Sequence, residues 1–239
     1  MNKIKKQFAY LTWFGAGALV RSIYEPQHII VAYHSIWSKR NRENLTGDKY
    51  SHISISAEDF KRQIDHIKSR GYTFIRFSDY TTHADTKTAS VYFDDGFRDV
   101  LINALPTLER ENVPATLFLT TDYLDGKKDP HAYLSWDELK SFGDAYEFGS
   151  HSVSHQKLNK ISIDKAEEEM IKSKQVLEAK TGKRVTAFSF PYGRSSFELQ
   201  ELAKKVGYTL TTADIIFHKV RPDPDDSSAV FKWKMILSW

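Results

Sequence analysis

The chain has 239 residues, of which 41% are hydrophobic and 27% charged, and this composition predicts a single globular domain with a substantial core. Its 34 Lys and Arg residues are spread among 31 acidic residues and give a net charge of only +3, so the charge gives no indication of nucleic-acid binding. The sequence contains no cysteine, which excludes disulfides and thiolate metal sites and leaves His, Asp and Glu as the strong metal ligands.

Residues 1–27 are predicted to be a segment distinct from the domain, which we place at residues 28–239. The basic start MNKIKK precedes a mostly apolar run at residues 8–20, which is shorter than the roughly 20 residues of a membrane span. Such a segment fits a secretory signal, a helix on a membrane surface or a helix packed on the domain. The first two interpretations favour a cell-envelope or membrane-associated location, and the third leaves a cytoplasmic one open.

Strand and helix patterns then alternate about six times along the chain. Apolar runs predict strands at residues 28–35, 89–93, 115–120, 146–152, 186–193, 208–213 and 230–237. Helical periodicity predicts helices at residues 56–72, 97–114, 135–142, 162–182 and 196–207. This alternation predicts parallel strands with helical crossovers, either as an open doubly wound sheet or as a (β/α) barrel.

Two of the predicted helices have clear ends. In the first one, Ser56 and Asp59 form a capping box and Gly71 closes the helix. The long helix at residues 162–182 also ends at a glycine. Its charged run at residues 165–175 is predicted to face solvent.

Residues that are common in active sites follow four of the predicted strands. They are His34, Asp94 with Asp95, His151 with His155, and Pro191 with Tyr192. In both candidate architectures the carboxyl ends of the parallel strands form the working face. We therefore expect these residues to meet on one face of the domain.

The Asp pair and the His pair are weak signals when each is taken alone. Asp often caps the helix that follows a strand, and most His pairs four residues apart lie on the surface. Together, in a chain without cysteine, one carboxylate and two imidazoles match the ligand set of a catalytic Zn²⁺ or a related divalent ion. The second carboxylate is then placed to take a proton from water whose pKa the metal lowers.

The stretches YFDDGF, SHSVSH and FSFPYGR, in this order and with helices between them, resemble the three leading motifs of the polysaccharide deacetylases, carbohydrate esterase family 4. The resemblance extends from about residue 28 to residue 220. AYHSI and FKRQIDHIKSRGY are typical of the branch that carries a Tyr-His near its start. The resemblance implies an irregular (β/α) barrel of about seven parallel strands in a single domain. It also implies metal-dependent removal of N- or O-acetyl groups from sugars.

Carried over to this sequence, the resemblance implies that Asp94 is the general base. Asp95, together with His151 and His155, would bind a divalent metal, Zn²⁺ above all. The backbone N–H of Tyr192 would help to hold the tetrahedral oxyanion, and a donor of this kind is worth on the order of 3 kcal/mol. Without the other motifs, the same segment would be an ordinary turn that contains Pro and Gly.

The general acid has two candidates, because the leaving amine must gain a proton and a His is suited to this at neutral pH. Most of the family supplies it from a late Leu-x-His motif, which His218 in the stretch IIFH resembles superficially. That His follows the predicted strand at residues 208–213 by only a few residues, where a loop is expected. In the Tyr-His branch the acid comes from the first strand, and this favours His34.

The predicted function is that of a metal-dependent hydrolase that removes acetyl groups, N-acetyl above all, from amino sugars of a polysaccharide or cell-envelope glycan. Its partner would be the acetylated glycan, with a membrane surface as a second partner through residues 1–27. A carbohydrate-binding pseudoenzyme is one alternative, because Ser189 and Phe190 stand where the third motif more often has an Arg that orients the base. Hydrolysis of C–N bonds in small amides is another, since relatives with this barrel perform it.

Overall fold

The computed structural model of the chain describes residues 28–38, 53–79, 86–213 and 235–238. The predicted N-terminal segment at residues 1–27 and the alternative acid His218 lie outside the described residues. Among the helices that are described, none combines the length and the apolar character that a membrane crossing needs.

The described strands, in chain order, are β1 His28–Tyr33, β2 Ser35–Trp37, β3 Ser54–Ser56, β4 Thr73–Phe74, β5 Thr88–Phe93, β6 Ala115–Leu119, β7 Tyr146–Ser150, β8 Ala187–Ser189, β9 Leu210–Ala213 and β10 Met235–Ser238. The α-helices are α1 Ala57–Ser69, α2 Leu105–Arg110, α3 Thr121–Leu124, α4 Ile163–Thr181 and α5 Phe197–Val206. A π-helix lies at Val100–Ala104, and short 3-10 helices include Glu138–Ser141, Leu158–Lys160 and Pro191–Gly193. A strand lies at each of the seven positions predicted from the sequence.

The main sheet runs in the spatial order β1, β5, β6, β7, β8, β9, β10, and β4 also pairs with β5. The pairs from β1 to β9 are parallel, and helices lie in their crossovers, so the sheet forms the half-barrel of a (β/α) fold. β10 runs antiparallel to β9. An antiparallel strand at the edge of a parallel sheet is common, and it is the one described departure from the all-parallel arrangement that the resemblance implies.

Alternation along the strands separates two hydrophobic layers. Ile29, Val31 and Tyr33 of β1 belong to the larger layer, to which α1, α2, α4 and α5 also contribute side chains. Ile30 and Ala32, between them in sequence, belong to a smaller layer on the opposite face of the sheet. Three of the seven residues of the smaller layer are aromatic, and the ring centroids of Phe77, Tyr92 and Phe118 lie 5.2–6.1 Å apart. The carboxyl ends of the strands are therefore carried on a sheet that is packed on both faces.

The predicted ends of the first helix are confirmed. Oγ of Ser56 accepts a hydrogen bond from the N–H of Asp59 at 3.0 Å, and Gly71 follows the helix with φ +79°. The long helix α4 ends as predicted at Gly182, which has a left-handed conformation that glycine adopts without strain.

The predicted helix at residues 97–114 is not a regular α-helix. Its middle is the π-helix Val100–Ala104, and α2 follows directly. Pro106 lacks the N–H that would bond to the carbonyl of Ile102, and its ring crowds that carbonyl, so the preceding turn widens. The next predicted helix is also shorter than expected and forms only the 3-10 turn Glu138–Ser141.

Candidate active site

The sheet register brings the predicted residues after β1 and β5 together. The two strands pair in parallel up to Tyr33↔Phe93, so the residues that follow them, His34 and Asp94, end side by side. Nε2 of His34 lies 3.9 Å from Oδ2 of Asp94. The Asp94 side chain is 1% exposed, whereas that of His34 is 19% exposed and reaches solvent. The predicted base and the predicted acid therefore share one corner of the site.

The turn after β5 separates the two adjacent carboxylates. The N–H of Asp94 donates to the carbonyl of Tyr33 at 2.9 Å, which continues the pairing of the strands. Asp95 has φ +71°, a conformation that is rare for a residue with a side chain. Gly96 has φ +82°, and a Cβ there would lie 3.0 Å from the side chain of Leu119, so glycine suits this position. The left-handed turn lets the neighbouring carboxylates face different partners.

The two imidazoles follow β7 on a turn rather than on a helix. Ser152 and His155 have φ values of +69° and +58°. Oγ of Ser152 accepts a hydrogen bond from the N–H of His155 at 3.0 Å, which closes the turn. The ring centroids of His151 and His155 lie 4.8 Å apart. The spacing of four residues thus brings both rings to one place without a helix.

Glu169 of α4 fixes this turn, a role that no sequence pattern indicates. Its carboxylate accepts hydrogen bonds from the N–H groups of Val153 and Ser154, each at 2.9 Å, and from the Ser154 hydroxyl at 2.6 Å. The prediction that residues 165–175 face solvent is wrong for the buried Ala166, Met170 and Ser173. It is also wrong for Glu169, which is partly buried. A charged helical pattern does not reveal which of its carboxylates meets a loop from elsewhere in the chain.

Three donor atoms meet in front of these turns, and we call Asp95, His151 and His155 the donor cluster. Oδ1 of Asp95 lies 3.5 Å from Nε2 of His151 and 3.0 Å from Nε2 of His155. The two Nε2 atoms lie 3.2 Å apart, and a ligand atom from each residue lies within 4.8 Å of the others. The three residues predicted to bind a metal are therefore grouped around one point.

A backbone carbonyl sets the orientation of one imidazole in the donor cluster. Nδ1 of His151 lies 2.7 Å from the carbonyl oxygen of Ser189. Because a carbonyl oxygen can only accept, Nδ1 carries the proton and Nε2 presents a lone pair to the cluster. The third motif thus contributes to the site through its backbone, which a sequence pattern does not show.

The carboxylate of the donor cluster has the properties that a cation site needs. Oδ1 of Asp95 is buried and accepts no hydrogen bond of ordinary geometry, although Nε2 of His155 is 3.0 Å away. Burial alone would raise the pKa of Asp95, but the neighbouring imidazoles, His155 first, lower it well below its ordinary value. An ionised oxygen and imidazole nitrogens that converge in this way fit a divalent ion such as Zn²⁺.

Tyr192 borders the donor cluster on the side of β8. The residue has φ +60° and is 48% exposed, and its ring centroid lies 4.7 Å from that of His155. The N–H of Gly193 donates to the carbonyl of Phe190 at 2.8 Å and holds the turn. The structure thus brings all six predicted site residues together at the carboxyl ends of the strands.

A cleft opens beside the donor cluster. It has a volume of about 340 Å³ and is lined by Asp122, Tyr123, Lys127, Lys128, Ser154, His155 and Tyr192. Nζ of Lys128 lies 4.1 Å from the ring centroid of Tyr123 and donates to its hydroxyl at 2.7 Å. The sequence indicates neither residue, because the four-residue helix α3 has no periodicity that would mark Tyr123 as a cleft residue, and Lys128 lies in the loop after it. A cleft of this size suits a sugar-sized ligand.

The chain matches the family model described as polysaccharide deacetylase over residues 81–211, which is more than half of its length. The chain belongs to the polysaccharide deacetylase family. The deacetylase is 24% identical over 221 residues to the protein YxkH of Bacillus subtilis (strain 168), with 84% of this chain and 74% of that protein covered. It is 25% identical over 202 residues to a poly-β-1,6-N-acetyl-D-glucosamine N-deacetylase of Staphylococcus epidermidis, with 76% and 68% covered.

The crystal structure of BC0361, a polysaccharide deacetylase from Bacillus cereus, is similar to the deacetylase with a TM-score of 0.64 and 26% identity over 86% of this chain and 63% of that one. The predicted (β/α) barrel class, the single domain and the activity of a polysaccharide deacetylase are thereby confirmed. Metal dependence is a property of the family, and the donor cluster fits it. The Tyr-His branch, the identity of the metal and the chemical role of each site residue stay predictions.

Proposed function

We propose that the deacetylase hydrolyses the N-acetyl groups of N-acetylglucosamine units in a cell-envelope polysaccharide. The observation that carries this proposal is the donor cluster, together with Asp94, which precedes Asp95, lies outside the ligand set and is 3.9 Å from His34. The described activity of the Staphylococcus epidermidis relative, an N-deacetylase, supports an N-acetylated amino sugar rather than an O-acetyl ester as substrate.

Asp95, His151 and His155 would hold the divalent ion, and we propose Zn²⁺ because one carboxylate and two imidazoles are a ligand set of catalytic zinc sites. When bound, the ion lowers the pKa of the attacking water and polarises the acetyl carbonyl. Around this set, the carbonyl of Ser189 holds the ring of His151 and Glu169 holds the turn that carries both imidazoles.

Asp94 acts as the general base in the first step. Its carboxylate accepts a proton from water while the water oxygen forms a bond to the carbonyl carbon of the acetyl group. The carbonyl oxygen becomes an oxyanion, and the backbone N–H of Tyr192 donates a hydrogen bond to it. Because the turn Pro191–Gly193 orients that N–H before the reaction, the hydrogen bond strengthens as charge develops.

His34 acts as the general acid in the second step. As an imidazolium it gives its proton to the amide nitrogen while the C–N bond breaks, which yields acetate and a free amino sugar. The separation of 3.9 Å between its Nε2 and Oδ2 of Asp94 supports this role, since acid and base then serve one carbonyl carbon. His218, the alternative acid, lies outside the described residues.

The proposal extends to the location of the protein. We propose that residues 1–27 direct the deacetylase to the cell envelope or hold it on a membrane surface, and the basic start followed by an apolar run supports this. Mass spectrometry of the N-terminus in fractionated cells tests it. A cleaved N-terminus, or an intact one in the membrane fraction, is expected. An intact N-terminus in the soluble fraction alone would contradict it.

Metal analysis combined with an acetate-release assay tests the proposed function. The metal-free protein is titrated with Zn²⁺ and other divalent ions, and acetate is measured with N-acetylglucosamine oligomers. We expect uptake of about one ion per chain and release of acetate from the oligomers. Binding of oligomers without acetate release, whatever the metal, would favour the pseudoenzyme. Turnover of small amides in place of oligomers would favour the other alternative.

A further inference from the structure

Asp99, four residues after Asp95, is buried and bonded to the segment that follows His34. Its Oδ2 accepts a hydrogen bond from the hydroxyl of Ser35 at 2.5 Å, and its Oδ1 accepts one from the N–H of Ile36 at 3.2 Å. Asp99 is 1% exposed. These hydrogen bonds join residues more than 60 positions apart, so they fix tertiary rather than local structure.

Asn103, one helical turn after Asp99, holds the same segment. Its Nδ2 donates to the carbonyl oxygen of Ile36 at 2.7 Å. Both backbone polar groups of Ile36 are therefore bonded to side chains of one helical segment. We call Asp99 and Asn103 the helix clamp.

We propose that the helix clamp positions His34 against Asp94, which makes Asp99 a positioning residue for the general acid. This inference rests on the proposed function, in which His34 donates the proton. Before His34, the strand β1 is paired to β5. After His34, the clamp holds the backbone. The backbone that carries the imidazole is thus held on both sides by the chain segment that carries the base.

The base and the clamp belong to one short, continuous segment. Asp94 and Asp95 follow β5 directly, and the helical segment with Asp99 and Asn103 begins within a few residues. This segment sets the separation of 3.9 Å between His34 and Asp94. A displacement of about 1 Å in a catalytic geometry can lower a rate about 100-fold, so the clamp has a measurable effect on turnover.

The clamp does not depend on the ionisation state of Asp99. Burial raises the pKa of Asp99 to about 7, although its hydrogen bonds oppose the shift. The ionised Oδ2 accepts from the hydroxyl of Ser35, and the protonated Oδ2 donates to it, while Oδ1 accepts from Ile36 in both states. An asparagine can make the same two hydrogen bonds, because its amide N–H donates to the Ser35 hydroxyl oxygen. Asp99→Asn is therefore the conservative variant that retains the clamp.

A comparison of Asp99→Ala with Asp99→Asn tests the clamp. In Asp99→Ala we expect kcat for acetate release to fall about 10- to 100-fold, with KM and Zn²⁺ affinity within about threefold of the wild type, because the donor cluster keeps its place. In Asp99→Asn we expect kcat within about threefold of the wild type. A wild-type kcat in Asp99→Ala, or an equal loss of kcat in both variants, would overturn the proposal.

Glu147 offers a matched control at the other end of the sheet. Its Oε1 also accepts one backbone N–H, from Ser78 at 3.0 Å, and one hydroxyl, from Thr116 at 2.6 Å. Glu147→Ala should lower Tm and leave kcat unchanged. A fall in kcat equal to that of Asp99→Ala would mean that the clamp acts through stability alone. Should Asp99→Ala not fold, Asn103→Ala is the variant to measure, with an expected fall in kcat of about 3- to 10-fold; a wild-type kcat there would count against the clamp.

A double-mutant cycle with His34→Gln separates the clamp from the proposed function. If Asp99 acts through His34, Asp99→Ala causes no further fall in kcat in the His34→Gln background. The same fold-loss in both backgrounds would overturn the clamp and leave the acid assignment standing. A wild-type kcat in His34→Gln alone would show that the acid assignment is wrong, and the clamp proposal would fail with it.

Discussion

Two carboxylates at opposite ends of the sheet, Glu147 and Asp95, differ in how their oxygens are satisfied. At the amino end, Glu147 accepts hydrogen bonds from Ser78 and Thr116, so its oxygen is satisfied within the protein. At the carboxyl end, Oδ1 of Asp95 is buried and faces two imidazole nitrogens instead of ordinary donors. An acceptor that is left open in this way reduces stability unless a cation occupies the position. Glu147 thus contributes to stability, whereas the open oxygen of Asp95 fits the proposed cation site.

Non-glycine residues with positive φ are also concentrated at the carboxyl end of the sheet. Of the five described non-glycine residues with positive φ, four lie in the site: Asp95, Ser152, His155 and Tyr192. The fifth, Asn112, follows α2, where a left-handed Asn is a common helix ending. Left-handed residues cost on the order of 1–2 kcal/mol each, so their concentration here fits the proposal that they direct the metal ligands and the oxyanion donor. Most of the described left-handed residues with side chains therefore lie at the end of the sheet that carries the proposed active site.

Removal of a proposed metal ligand should have the largest effect on activity, with little effect on the stability of the metal-free protein. In His151→Ala we expect kcat to fall by on the order of 10³-fold or more, because the donor cluster keeps only one imidazole and no longer holds the ion. In the metal-free state, Tm should stay near that of the wild type, since the lost residue serves binding. Calorimetric metal titration and thermal melts measure both quantities. Undiminished metal binding would show that the cluster is not the metal site.

The pH dependence of the free energy of unfolding should reveal the ionisation of Asp99 at the carboxyl end. Its pKa is about 7 in the folded chain against an ordinary value of 3.8, so the folded state holds an additional proton between these values. The resulting stabilisation is full below about pH 4 and is lost as the pH rises through about 7, and it amounts to at most about 4 kcal/mol. Denaturant unfolding of the wild type and Asp99→Asn from pH 4 to pH 8 measures it. The free energy of unfolding of the wild type should fall relative to that of Asp99→Asn as the pH rises, and a constant difference would contradict the assignment.

Loss of the Glu169 carboxylate should lower the metal affinity, an effect of intermediate size. Glu169→Ala removes the acceptor that holds Val153 and Ser154, so we expect Zn²⁺ affinity to fall about 10- to 100-fold. Glu168→Ala on the same helix is the control, since Glu168 is exposed and pairs with Lys172. Equal affinities in the two variants would show that the turn holds the imidazoles without Glu169. Calorimetry with Zn²⁺ provides the measurement.

A pair of hydroxyl deletions gives the smallest and most closely matched test. Thr116→Val and Ser35→Ala each remove one hydroxyl donor to a carboxylate, the partly buried Glu147 and the buried Asp99, at opposite ends of the sheet. Each should lower the free energy of unfolding by about 1 kcal/mol. Only Ser35→Ala, next to His34, should also lower kcat, by a few-fold. An equal fall in kcat in both variants would remove the functional distinction between the two ends.

Much of the fold follows from local patterns in the sequence. Apolar runs locate the central strands, and the Ser56 cap with Asp59 and the closing Gly71 mark the first crossover helix. The residues grouped at the carboxyl end could also be listed, because in parallel sheets the ends of strands meet on one face. Such information is contained in spacing and residue type.

The supports of the site could not be predicted in the same way. Glu169 reaches a turn that lies more than ten residues away in sequence, and Asp99 bonds to residues more than 60 positions away. The carbonyl of Ser189 acts through the backbone, which any residue supplies. Such contacts depend on tertiary packing, and one sequence carries no local signal for them.

The most direct test compares Asp94→Asn with Asp95→Asn, two changes of the same kind at adjacent residues. Zn²⁺ content and acetate release from N-acetylglucosamine oligomers are measured on both purified variants. The division of roles predicts that Asp94→Asn retains about one ion per chain and loses activity by about 10²- to 10⁴-fold, whereas Asp95→Asn loses the ion itself. Retained activity in Asp94→Asn, or full metal content in Asp95→Asn, would contradict it.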